Sequence, residues 1–166
     1  ILLVARILGE KRKRGMNMSK KDFLPVILGS DENAYNVARA FHEQYGIKSI
    51  VVTKAHILPT MHSKIVEKYI YDDIDNPESF SNNMLDLYEK IKNDAKNFIV
   101  FACNENYAEL AIRNKSKLES KYLLPFIDED LMDKIIYKDE FYKMCEKHGL
   151  DYPATLIFEK GMDPNI

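Results

Sequence analysis

The sequence predicts a doubly wound α/β domain built on a parallel sheet, and three observations predict it. Short, continuously apolar runs recur along the chain, Phe23–Leu28 (FLPVIL) and Phe98–Ala102 (FIVFA) being the clearest. Amphipathic stretches of helical period separate them, long enough to return the chain over the sheet so that successive strands run parallel. The runs do not alternate with polar residues, which is the pattern of strands covered on both faces.

The elements follow in order. Phe23–Leu28 is the first strand and Gly29 stops it. Ser30 or Asp31 can cap the helix that follows, which carries Ala34, Val37, Ala38 and Phe41 at helical spacing and ends at Gly46. Ser49–Thr53 (SIVVT) is a β-branched second strand, and Ile65–Tyr71 a third, interrupted by charges. Pro77 opens a helix with Phe80, Met84, Leu87, Tyr88 and Ile91 on one face. After the fourth strand, Phe98–Ala102, comes a helix over Tyr107–Ile112, then a fifth strand, Tyr122–Phe126. Two short helices are expected at 129–135 and 138–148, the second closed by Gly149, and a last extended run at Leu156–Phe158.

Composition narrows the function classes. With 166 residues, 46% hydrophobic and 30% charged, the chain can bury a real core. A net charge of -2 gives no electrostatic reason to expect nucleic acid. Cys103 and Cys145 form no CxxC pair, and the four His residues show no HxH or HxxxH spacing, so neither a disulfide framework nor a metal site is expected, and a cytoplasmic setting fits. The ten Tyr and eight Phe are scattered rather than set in a basic stripe, which suits packing.

Ligands of such sheets bind at the carboxyl ends of the strands, where strand order reverses. That rule selects the loops after strands one and four. In the first, Gly29 and Ser30 lead into a helix start carrying Glu32 and Asn33. A dinucleotide site would need GxGxxG here, and GSDENA lacks two of the three glycines while adding two carboxylates. Asp31 and Glu32 serve equally well as helix cap and dipole partner; in the functional reading, Glu32 or Asn33 faces the crevice and holds a substrate amine or hydroxyl. In the second loop, Asn104 and Glu105 are again good capping residues placed beside the first loop. Cys103 has no neighbouring His to activate it and reads as a structural thiol.

Two longer runs carry a resemblance. PVILGSDENAYNVARAFHEQYGIKSIVV (Pro25–Val52) resembles the opening of ATP-grasp ligases of the D-aspartate ligase and carbamoyl-phosphate-synthase-like group. LMDKIIYKDEFYKMCEKHGLDYPAT (Leu131–Thr155) resembles that group's entry into its ATP-grasp domain: an Asp-Lys pair, a helix ending in Gly, and a Pro-x-Thr step. The resemblance implies a Rossmann-like pre-ATP-grasp domain over residues 18–128 and the start of an ATP-grasp domain over 129–166. It implies ligation of a carboxylate to an amine through an acyl phosphate, with a small carboxylate or amine as partner. ATP and magnesium would serve the full-length parent, and Lys134 would stand where the family contacts nucleotide phosphates. The family's second phosphate-binding lysine, adenine hinge and metal ligands would follow Ile166, so the 166-residue chain alone is expected to bind no cofactor and catalyse nothing. The alternative is a free-standing small-molecule-binding or regulatory module, which would want a phospho-accepting Asp at a strand end. Asp31 falls past the turn, in a helix cap.

Residues 1–17 are set apart from the fold. Ile1–Leu8 is apolar but far short of the roughly 20 residues a membrane span needs, and its basic run, Lys11–Arg14, follows rather than precedes it, unlike a signal peptide. It reads either as a short interfacial helix or as the translation of a purine-rich stretch before a bacterial start codon, with Met16 or Met18 as the first residue. On the second reading, intact-mass measurement of the protein from its own organism finds residues 1–15 missing; their presence would restore the interfacial helix.

Overall fold

The computed structural model describes residues 22–55, 57–155 and 161–162, which fall into two compact units, one ending at Phe126 and the other beginning at Ile127. The expected leader at 1–17 and the expected run Leu156–Phe158 lie outside the described residues.

In the first unit β1 (Leu24–Leu28), β2 (Ser49–Thr53), β3 (Val66–Ile70) and β4 (Phe98–Ala102) form a four-stranded parallel sheet of order β3-β2-β1-β4. The chain steps outward from β1 to β3 and then returns to the far side of β1, so strand order reverses between β1 and β4. The intervening helices are α1 (Glu32–Tyr45), the short α2 (Leu58–Met61), α3 (Phe80–Ile91), α4 (Glu105–Arg113) and α5 (Lys115–Leu118).

Period-two alternation sends the strand residues to two cores. Val26, Leu28, Ile50, Val52, Phe98 and Val100 pack against Phe80, Met84, Leu87 and Ile91 of α3 and against Tyr107 and Leu110 of α4. On the other face Ile27 and Val51 meet Ala34 and Ala38 of α1, and small residues one turn apart let that helix lie close to the sheet. Phe41 and Tyr45 extend this contact to Phe23, with ring centroids 6.0 and 5.3 Å away. Helices therefore cover both faces, as the unbroken apolar runs require.

Pro25 in a central strand needs a reason, because it lacks the N–H that a ladder uses. The Leu24 N–H bonds Asn97 O on the β4 side, whereas the Gly29 N–H bonds Val52 O on the β2 side. Odd-numbered positions of β1 thus face β2, and pairing with β2 begins only at Val26↔Ile50. The missing donor falls before the ladder starts.

Two expectations change, and a third gains its physical reason. The third strand keeps its place but is an edge, which explains the charges of Glu67 and Lys68: one flank pairs with β2 while the other meets solvent and is protected from strand addition. Pro77 lies in a turn ahead of α3, which begins at Phe80; Ser79 Oγ donates to Asp73 O and Asn83 Nδ2 to Asp73 Oδ1. The expected fifth strand is a single parallel bridge, Ile99↔Leu123, because Pro125 cannot donate onward. What this segment supplies is an anchor. Tyr122 is 2% exposed, stands edge-on to Tyr88 and Phe98, and donates its hydroxyl to Met84 O at 2.7 Å.

The second unit carries α6 (Glu129–Ile135) and α7 (Lys138–Lys147), as the sequence predicts. Met132 and Cys145 are its buried apolar side chains among the described residues. Gly149, at φ 64°, turns the chain out of α7 while Leu150 N–H bonds Cys145 O. No described helix is long and apolar enough to cross a membrane.

Removing the Tyr122 hydroxyl deletes the buried bond to the Met84 carbonyl, which keeps its partner within the helix. Tyr122→Phe is therefore expected to lower stability by about 0.5–1.5 kcal/mol, seen as a lower urea midpoint with an unchanged slope. A variant as stable as the parent would refute the anchoring role.

Candidate functional site

The strand order brings the carboxyl ends of β1, β2 and β4 side by side. They enclose a crevice of about 270 Å³ lined by Gly29, Ser30, Asp31, Thr53, Lys54, Ala55, Ile57, Asn104 and Tyr107. Both loops singled out from the sequence contribute to it.

Gly29 is the geometric key. Its φ is 121°, a conformation L side chains rarely adopt, and a Cβ there would stand 3.2 Å from Cys103 Cβ. Any side chain at this position would press the turn out of β1 against the turn out of β4, on a backbone that already favours glycine. The Cys103 N–H bonds Leu28 O at 3.0 Å and ties the two strand ends together.

A chain of buried hydroxyls then fixes the loop. Thr53 Oγ1 donates to Ala55 O at 3.0 Å, so the 2.9 Å contact between Ser30 and Thr53 has Ser30 as donor. Thr60, within α2, donates to Ser30 O at 3.0 Å. Ser30, Thr53 and Thr60 are 2%, 3% and 1% exposed, so these bonds form away from water. Ser30 shapes the crevice, and its hydroxyl is committed to that task.

Two helices begin at the crevice. Asp31 is the N-cap of α1 and accepts from the Ala34 N–H at 3.0 Å. Asn104 is the N-cap of α4, its Oδ1 accepting from the Tyr107 N–H at 2.9 Å. Asn104 keeps its amide NH₂ as a donor. Glu32, Asn33 and Glu105 are exposed on the first turns of the two helices and do not line the crevice.

Sequence reasoning missed Thr53, Lys54, Ile57 and Tyr107. Lys54 pairs with Asp75 at 3.0 Å, and both are partly exposed. Tyr107 is buried, and its hydroxyl is pushed up chiefly by that burial and secondarily by Asp75, while a backbone hydrogen bond at Lys54 pulls the other way. The strand-end rule, applied to strand two as well as to one and four, would have found Thr53 and Lys54. Tyr107 carried no polar signal, since its ring belongs to the core on the α3 side of the sheet.

Cys103 is not an activated nucleophile. Burial, with a smaller contribution from Asp31, pushes its thiol up to about 11, so it is protonated at neutral pH. Lys134 lies in the second unit, exposed in the last turn of α6, beside Asp133, Glu140, Lys143 and His148. Among the described residues no group of three or more His, Cys, Asp or Glu could hold a metal ion.

No protein-family model matches the chain. The chain is 35% identical over 147 residues to a D-aspartate ligase of Enterococcus faecium (strain Aus0004). That similarity covers 88% of the chain and 35% of the relative, so the chain spans about a third of the length of the curated relative it matches.

Cys103 gives a direct test of the crevice wall. Folding holds its proton more tightly than the unfolded chain does, so its contribution to stability is full below about pH 9 and is lost as pH rises through about 11. Alkylation of folded protein, located by peptide mapping, is expected to reach half its limiting rate near pH 11; a midpoint at or below 9 would refute the buried setting. Gly29→Ala is expected to cost about 1–3 kcal/mol in a urea titration, through the positive φ and the contact with Cys103.

Proposed function

We propose that the chain serves an ATP-dependent ligase of the ATP-grasp type, which joins a carboxylate to an amine through an acyl phosphate. The similarity to a D-aspartate ligase across 88% of the chain carries this reading. A carboxylate does not react with an amine until it is activated, and transfer of a phosphoryl group from ATP supplies that activation. In the complete protein the crevice between Gly29 and Asn104 would hold part of a small carboxylate or amine substrate.

The crevice has the chemistry for that task. Asn104 NH₂, the Lys54 ammonium and the Tyr107 hydroxyl can donate, and the Asp31 carboxylate can accept. Ile57 and Ala55 add apolar wall. The first turns of α1 and α4 bring backbone amides that have no partner inside their helices. Such a set orients a small polar molecule without covalent chemistry. ATP and magnesium would be held by cations and by one or two carboxylates together with the phosphates themselves. Lys134 would contribute one phosphate contact, and no chemical step is assigned to this chain's own side chains.

Three measurements test the reading. The complete gene product, given Mg-ATP, D-aspartate and hydroxylamine, is expected to form a hydroxamate by trapping of the acyl phosphate. If no amino-acid or related carboxylate yields ATP-dependent hydroxamate, the ligase reading fails. The 166-residue chain alone is expected to bind Mg-ATP more weakly than micromolar, because an exposed ion contact is worth about 1 kcal/mol at most and micromolar affinity needs about 8 kcal/mol. Tight magnesium-dependent binding in a calorimetric titration would favour a self-sufficient nucleotide-binding module instead. Asn104→Asp separates cap from site: Asp caps as well as Asn, so stability should change by less than about 0.5 kcal/mol. It replaces a donor by a carboxylate, so KM for the substrate bound there should rise about tenfold or more, equivalent to about 1.4 kcal/mol. An unchanged KM would remove Asn104 from the substrate site.

A further inference from the structure

We draw no further inference here: the strongest candidate, the surface patch of exposed apolar side chains in the second unit (Leu131, Ile136, Tyr137, Phe141 and Leu150), carries nothing because nothing in the structure shows what covers it.

Discussion

The first unit depends on one strand having no free side. Val26, Ile27 and Leu28 are 0% exposed, paired to β2 on one flank and to β4 on the other, with α3 on one face and α1 on the opposite face. A strand in that position can tolerate neither a polar side chain nor an unmade ladder bond. It accepts Pro25 only because the missing N–H falls ahead of the β2 ladder. Enclosure of β1 also decides where the crevice lies. The strands beside it end at the same level, and helices α1 and α4 start there on opposite faces of the sheet.

Gly29 turns this enclosure into a cavity. A residue with a side chain would hold the β1 and β4 turns apart, or would strain a backbone that needs φ 121°. With glycine the two turns close to contact, and the Ser30–Thr53–Thr60 hydroxyls lock the result. Each of those hydroxyls would be costly to bury alone; bonded in sequence they satisfy one another and the carbonyls of Ser30 and Ala55. The wall is therefore preorganised by groups that do not themselves offer free valences to a ligand. Binding would fall to Asn104, Lys54, Tyr107 and Asp31.

Much of this was legible in the sequence, for a physical reason. FLPVIL, SIVVT and FIVFA could be read as strands because a central parallel strand is apolar throughout and short. Ser30 or Asp31 and Gly46 could be read as the ends of α1 because caps follow residue chemistry, and Asp31 is the one that caps. The fifth strand was misjudged because an apolar run reports burial, and Tyr122 is buried by the ring contacts and hydroxyl bond of an anchor rather than by ladder pairing. The strand-end rule selected Gly29, Ser30, Glu32, Asn33, Asn104 and Glu105 together; Gly29, Ser30 and Asn104 line the crevice, while Glu32, Asn33 and Glu105 stand exposed just outside the lining. Which side of a helix's first turn faces a cleft depends on the phase of that helix, and the phase of α1 is set by Ala34 and Ala38 against the sheet.

The same phase argument explains why residues at this crevice serve two ends. The N-cap is the one position of a helix whose side chain lies beside the strand end regardless of which face the helix buries. Asp31 and Asn104 hold that position in α1 and α4, so both cap and both line the crevice. A cap engages one side-chain oxygen and leaves the rest of the group available: the NH₂ of Asn104 and the second carboxylate oxygen of Asp31. Capping and recognition therefore do not compete for the same atoms. A parallel sheet that starts its helices at the switch point thus supplies oriented polar groups whether or not selection asks for a binding site. What distinguishes a site from a pair of caps is a third group that capping does not require. Lys54 and Tyr107, at the end of β2 and the start of α4, line the crevice without capping either helix.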